Sequence, residues 1–308
     1  MKKLVTIVGP TAVGKTQLAL QLAQQFNGEI VNADSRQVYR YMDIGTAKPE
    51  QSELAIVPHQ LIDIVNPDED FGLAQYQALA NQAIADIHSL GKLPLLVGGT
   101  GQYVRAVLEG WVIPAVAPDP EFRLNLQDRA EWGESAELYQ ELVRVDPVAA
   151  QNIDSRNVRR VIRALEVSHH AGVPFSRLQQ KKAPPFDSLI IGLTAERTEL
   201  YRRIDSRVDI MLDRGLVEET KKLVSMGYGF DLPSMSGIGY KQVGQYLKGE
   251  ITLEVAKEQI KFETHRLARH QYNWFRLSDK RIQWFDVGQD IEAEVREWVS
   301  RFIAGNAP

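Results

Sequence analysis

Residues 4–16 read LVTIVGPTAVGKT: an apolar, strand-like run, Leu4–Val8, leads into the loop GPTAVGKT at 9–16. Gly9, Gly14, Lys15 and Thr16 meet the spacing G-x-x-x-x-G-K-[ST]. Glycines let the backbone turn tightly enough for successive N–H groups to point at one anion. Lys15 adds a point charge, and the Thr16 hydroxyl is placed to ligate Mg²⁺. A helical pattern, Leu18, Leu20, Leu22 and Phe26, follows. Strand, loop and helix in this order bind a phosphate or a diphosphate. Binding a nucleoside triphosphate requires more, an acid at the end of a second buried strand. The best later strand, LPLLVGG at 93–99, runs into Gly98-Gly99-Thr100 instead. The acid stands after GEIVNA, at Asp34, where it could serve a metal or act as a base. The loop alone does not decide between these.

Working outward, four apolar runs alternate with helical patterns: 4–8, 29–33, 93–97 and 188–194. HQLIDIV at 59–65 is a candidate fifth and RIQWFDV at 281–287 a candidate last strand. Such alternation predicts an α/β fold, a P-loop NTPase-like parallel sheet covered by helices on both faces. Two Pro-rich stretches, WVIPAVAPDP at 111–120 and KKAPPF at 181–186, bracket patterns that are helical throughout: 120–132, 134–144 and 154–170. The chain therefore divides into a first core segment, 1–113, a helical insertion domain, 114–186, and a second core segment, 187–308, with a basic C-terminal helical region.

The 308 residues leave ample material for a core, and a hydrophobic content of 44% with 25% charged residues is that of an ordinary globular protein. With no cysteine there is no disulfide framework, thiolate zinc site or cysteine nucleophile, which suits a cytoplasmic protein. No stretch is long and apolar enough to span a membrane, and no signal peptide is visible. A formal charge of −4 argues against general affinity for nucleic acid but leaves room for a local basic groove.

Three further stretches carry unusual detail. NADSRQVYRYMDIGTAKP, 32–49, is too polar for a simple connection; VGGTGQY, 97–103, has glycines at a strand end; LYRRIDSRVDIMLDRG, 200–215, puts Arg203 and Arg207 on one helical face. Singly, each also fits a capped turn, a close helix–strand contact or a solvated arginine stripe. Together with GPTAVGKT, and with HQLID, RALEV, GIGYK and NWFR, they resemble the motifs of the tRNA dimethylallyltransferase (tRNA isopentenyltransferase) family, over residues 4 to about 285. Gln102, His265 and His270 depart from that pattern, and nothing like the zinc finger of the eukaryotic members is present.

The resemblance implies transfer of a dimethylallyl group from dimethylallyl diphosphate to the exocyclic amine of the adenosine 3′-adjacent to the anticodon in tRNA. On that basis Gly9, Thr11, Ala12, Val13, Gly14, Lys15 and Thr16 hold the diphosphate, Thr16 also meeting Mg²⁺. Asp34, Thr100 and Arg207 form the catalytic set, with Asp34 as base and Asp43 as the rival acid, better suited to forming a turn. Arg203 either supports Arg207 or lies on a solvated face. Asp34, Ser35, Arg36, Gln37 and Thr100 are expected around the target base. Arg123, Arg159, Arg160, Val161, Ile162 and Arg163 in the insertion, with Gly239, Tyr240 and Lys241, are expected to meet the anticodon stem-loop. In SRNVRRVIRALEV, Val158, Val161, Ile162 and Leu165 also make an apolar stripe, with Arg156, Arg159, Arg160 and Arg163 on the remainder. A second basic zone, Arg266, Arg269, Arg276, Lys280 and Arg281, is interleaved with Tyr272 and Trp274. The expected protein is a monomeric cytoplasmic enzyme with Mg²⁺ as cofactor and no membrane partner. A P-loop small-molecule kinase, a prenyltransferase of free adenine nucleotides and a non-catalytic RNA-binding module are the alternatives.

Overall fold

The computed structural model describes residues 2–114, 119–178 and 180–306. From the N-terminus, β1 (Lys2–Val8), α1 (Lys15–Gln25), β2 (Gly28–Asn32), α2 (Gln51–Ile56), β3 (His59–Gln60), α3 (Leu73–Ser89), β4 (Leu93–Val97) and α4 (Gly101–Leu108) alternate in the α/β manner. Then come β5 (Trp111–Val112), α5 (Pro120–Glu131), α6 (Ser135–Val145), α7 (Pro147–Asn152), α8 (Val158–Ala171), α9 (Phe175–Leu178) and β6 (Gln180–Lys181). The chain finishes with β7 (Phe186–Thr194), α10 (Arg197–Asp213), α11 (Leu216–Ser225), α12 (Tyr240–Leu247), α13 (Leu253–Trp274), β8 (Ile282–Asp286) and α14 (Glu292–Ile303).

Six strands form one parallel sheet in the order β3-β2-β4-β1-β7-β8. Alternate residues of β1 feed two different cores, because successive side chains of a strand point to opposite faces. Val5 and Ile7 join Leu18 and Leu22 of α1, Ile204 of α10 and Val299 of α14. Leu4 and Val8 join Tyr76 and Ile84 of α3, Val104 of α4 and Phe275. Covering on both faces is why the strands read as unbroken apolar runs. A third cluster packs Val38 and Met42 against Val208, Leu216, Tyr240 and Ile260, tying the 37–49 loop to the C-terminal helices.

HQLIDIV is a strand only at His59–Gln60. Leu61 and Asp63 have positive φ, 65° and 55°, which ends the extended chain, and the Asn32 amide holds the turn by donating to the Leu61 carbonyl at 3.1 Å.

Glu109–Ala183 forms a compact unit of its own. It opens earlier than residue 114 and closes earlier than 186, because β5 and β6 pair antiparallel at its base, a ladder too short to show in the sequence. Residues 115–118 of the first Pro-rich stretch lie outside the described residues. The unit has its own core of Leu126, Leu138, Leu142, Val161 and Leu165. Helix α7 was not anticipated, although Asp146 caps it through the Ala149 N–H and Pro147 occupies its first turn.

Candidate functional site

The C-terminal ends of β1, β4 and β2 lie side by side, so the loops that follow them converge on one edge of the sheet. Gly14, with φ 103°, turns the chain into α1 and leaves the helix N-terminus facing the loop. Val13 is buried under the loop in the core, so it can offer a ligand only its backbone. The Thr11 N–H is engaged, donating to Gln271 Oε1 at 2.8 Å. Lys15 folds back and donates to the carbonyls of Gly9 (3.0 Å) and Pro10 (2.7 Å). Burial draws the Lys15 ammonium down to about 8, an effect the Asp34 carboxylate opposes and Arg207 reinforces.

A cavity of about 280 Å³ brings together Ala12, Gly14, Lys15, Thr16, Asp34 and Arg207. Arg207 comes from α10, is partly buried, and makes no ion pair or hydrogen bond with any described residue. Burial alone lowers its pKa. Lys15 likewise has no acidic partner in hydrogen-bond contact. Two cations drawn out of bulk water with no acid in contact are what an anion site offers, since a buried charge is costly unless paired. Arg203 differs: its guanidinium pairs with Glu199 at 2.7 Å on the same helix, leaving Arg207 unassisted.

Asp34 projects from the turn after β2. Its N–H donates to Asn32 Oδ1 at 3.1 Å and its Oδ1 accepts the Arg36 N–H at 2.8 Å, while Oδ2 has no partner among the described residues. Thr100, following β4, accepts the Ser35 N–H at 3.0 Å and donates its own N–H to the Ala33 carbonyl at 3.1 Å. It braces the Asp34 turn as well as lying beside it.

The polar stretch 32–49 is mostly an internal joint. Gln37 donates to the carbonyls of Thr46 and Ala47, at 3.2 and 3.1 Å, and Arg36 donates to the Pro233 carbonyl at 3.1 Å. Asp43 pairs with Lys48 at 2.6 Å and shapes the turn, as expected of it. The Glu219 carboxylate of α11 collects the N–H groups of Asp43 (3.0 Å), Ile44 (2.8 Å) and Gly45 (3.1 Å), and the Tyr240 hydroxyl at 2.6 Å. A Cβ on Gly45 would lie 2.5 Å from the Tyr240 ring. MDIGTAKP and GIGYK are thus two halves of one contact. Tyr240 is 1% exposed, which removes it from the expected RNA contacts; Lys241 beside it is exposed, and the Gly239 N–H is held by Gln242 at 3.0 Å.

In the insertion, Val161 and Ile162 are 1% and 4% exposed; their side chains build the core, so they can offer RNA only their backbone. Arg163 and Arg123 flank the fully buried Glu166, at 2.6 and 2.7 Å. Burial would raise the Glu166 carboxyl, but hydrogen bonds from Arg123, Arg163 and the Asp119 N–H bring it below the usual carboxylate value. Arg156 pairs with Asp154, leaving Arg159 and Arg160 as exposed arginines of α8. In the C-terminal zone Arg269 donates to the Tyr201 hydroxyl and Arg281 pairs with Asp279, whereas Arg276 and Lys280 are exposed. Tyr272 shares a hydrogen bond with Thr194 at 2.9 Å, and the Trp274 ring lies against Gly101. Of the three departures, Gln102 and His270 are exposed, and His265 stacks on Tyr201 with Nε2 2.8 Å from Asp205.

Three residues were missed from sequence. Asn32 braces the turn that carries Asp34, Glu219 fixes the 43–45 backbone, and Gln271 joins the loop after β1 to the loop after β4. Gln271 left a signal: it is the polar member of the buried series Ile260, Ala268, Gln271, Phe275.

The chain matches two family models, IPP transferase over residues 37–278 and isopentenyl transferase over residues 2–63. It is 50% identical over 301 residues to the tRNA dimethylallyltransferase of Dehalococcoides mccartyi, covering 98% of this chain and 93% of that one. With the enzyme of the same name from a Roseiflexus species it shares 52% over 303 residues, covering 97% and 99%. Among solved structures, the full-length tRNA isopentenylpyrophosphate transferase of Bacillus halodurans superposes with a TM-score of 0.73 at 43% identity, over 99% and 97% of the two chains. A eukaryotic dimethylallyltransferase acting on tRNA superposes with a TM-score of 0.85 at 31% identity, over 100% of this chain and 81% of that one. An anion cradle without a strand-end acid at β4, a carboxylate beside it and these likenesses over nearly the whole length lead to one conclusion: the chain belongs to the tRNA dimethylallyltransferase family.

Proposed function

We propose that this enzyme transfers a dimethylallyl group from dimethylallyl diphosphate to the exocyclic amine of the adenosine 3′-adjacent to the anticodon in tRNA. The observation that carries the proposal is the placing of Lys15 and Arg207, two cations with no acid in contact, beside the Asp34 carboxylate in one cavity. The cations suit a leaving diphosphate, whose charge grows as its bond to the allylic carbon lengthens. In the transfer the carbon–oxygen bond to diphosphate breaks and a nitrogen–carbon bond to the adenine amine forms. The amine is a poor nucleophile whose proton becomes acidic as that bond develops, and Asp34 Oδ2, free of other partners, accepts it.

Among the described residues no group of three or more His, Asp or Glu side chains could hold a metal. The cavity does offer the Thr16 hydroxyl and the Asp34 carboxylate, which fits Mg²⁺ held jointly with substrate phosphates rather than by a protein cage. When bound, the ion would neutralise part of the leaving group's charge.

The target base is stacked in a loop and must be extruded to reach Asp34, which the turn 33–37 would receive. The enzyme is proposed to work in the cytoplasm as a monomer, gripping the anticodon stem-loop through exposed Arg159, Arg160 and Lys241. A kinase reading lacks the acid at the end of β4, where Gly98–Thr100 stand. The test is to incubate the protein with tRNA, dimethylallyl diphosphate and Mg²⁺ and to analyse nucleosides by mass. Modified adenosine and diphosphate should appear one for one. ATP consumption coupled to phosphorylation of a small acceptor would overturn the reading.

A further inference from the structure

We infer that Gln271 is a positioning residue that sets the distance between the leaving-group cradle and the base that receives the proton. The inference rests on the transfer reaction proposed above. Gln271 lies near the end of α13 and is 8% exposed. Its Oε1 accepts the Thr11 N–H of the cradle at 2.8 Å, and its Nε2 donates to the Gly99 carbonyl at 3.1 Å. The fit is close: a Cβ on Gly99 would lie 2.1 Å from Nε2. The next residue, Thr100, holds Ser35 through its hydroxyl and Ala33 through its N–H, and Asp34 stands between them. One carboxamide therefore connects, in two directions, the loop that carries the diphosphate ligands and the loop that carries the base.

The chemistry makes that span matter. The allylic carbon must leave one loop's ligand and reach a nucleophile whose proton goes to the other loop's acid. Misplacement on the order of 1 Å costs about 10²-fold in such a reaction. Gln271 has no atom in the lining of the cavity, so it acts through Thr11 and Gly99 and not on substrate. Neighbouring groups hold its helix in place. Tyr272 bonds to Thr194, Phe275 is buried in the core, and Arg105 donates to the Trp274 carbonyl at 3.0 Å.

The test uses two variants of the full chain. Gln271→Met keeps the shape and removes both hydrogen bonds. Gln271→Glu keeps an acceptor for Thr11 but, when ionised, turns a lone pair toward the Gly99 carbonyl. Protonation restores a donor there. We expect kcat to fall about 10- to 100-fold in both. The Kd for dimethylallyl diphosphate should stay within about threefold of the parent, because Lys15, Arg207 and the remaining loop N–H groups are untouched. The ratio of Gln271→Glu to parent kcat should rise severalfold between pH 8 and pH 6. A role confined to stability predicts a lowered Tm with kcat per folded molecule unchanged and a flat pH ratio, and either result would overturn the inference. Parent protein that performs no transfer would instead remove the underlying reading.

Discussion

Lys15 and Arg207 in the core, and Arg123 and Arg163 in the insertion, are two pairs of cations in opposite circumstances. The core pair is drawn out of water and has no acid in contact, while the insertion pair closes on the buried carboxylate of Glu166. The first arrangement costs stability until an anion enters, and the second removes most of its own cost by ion pairing. Counting arginines along the chain makes α8 look the richer binding surface. Accounting for partners reverses the ranking, since a cation already paired has less to offer a phosphate.

The comparison is broken most directly at the base. Asp34→Asn preserves shape and removes the acceptor, so kcat should fall about 10²- to 10⁴-fold with tRNA affinity nearly unchanged. A variant within twofold of the parent would reduce Asp34 to a turn residue. Arg207→Gln should cost about 10²- to 10³-fold in kcat, the range for losing one preorganised group aimed at developing charge. If Arg203→Gln produced the same loss, the distinction drawn between the paired and the unpaired arginine of α10 would fail.

Glu166→Gln tests the other side. It leaves two guanidinium groups facing an uncharged amide, and should destabilise the insertion by about 2–3 kcal/mol, below the full cost of breaking a buried pair because both arginines are partly exposed. Hydrogen exchange should show the loss in residues 109–183 and leave the sheet protected; a uniform loss would contradict the separate core seen there.

Lys15 supplies a sharper test by pH. Its free-state pKa is about 8, depressed by burial, and a bound diphosphate must raise it. Binding therefore takes up a proton when the free lysine is neutral, roughly three-quarters of a proton at pH 8.5. Affinity should weaken above pH 8, by no more than about tenfold per unit. Titration calorimetry in two buffers of different ionisation enthalpy reads this number, and zero uptake would mean that the lysine is not in contact with the anion.

The smallest effect is expected at the surface of α8. Arg159→Gln with Arg160→Gln should flatten the salt dependence of tRNA binding by up to about one unit per lost contact, leaving diphosphate affinity alone. An unchanged slope would assign the RNA contact to Lys241, Arg276 and Lys280 instead. Arg163 is excluded from this test, because its loss would be read through Glu166.

The glycine-rich loop of the candidate site was legible in sequence because it is a contiguous stretch whose backbone geometry demands particular residues at particular spacings. So was the sheet, whose strands are buried on both faces. The proposed RNA-contacting part was legible only as charge. Whether Arg163 faces solvent or Glu166 depends on a partner three residues on and on a helix packed against it, and sequence alone does not reveal which wins. Tyr240 and Gly45 were both read as members of motifs, but nothing in either motif says that one rests on the other. Gln271 is the extreme case: its two partners are 260 and 172 residues away.

The position of β1 has a consequence in time. It is an inner strand, flanked by β4 and by β7, whose residues Phe186–Gly192 pair with Lys2–Val8. At about 5–20 residues per second, a ribosome needs roughly 10 to 40 seconds to deliver β7 after β1 has been made. Throughout that interval one edge of the first strand is unpaired and the phosphate loop lacks the neighbour it closes upon. The insertion draws its core from Glu109–Ala183 alone, so its contacts become available first. In the order of synthesis, the insertion is complete early, and the loop at residue 9 acquires its Gln271 contact only after residue 271 has emerged.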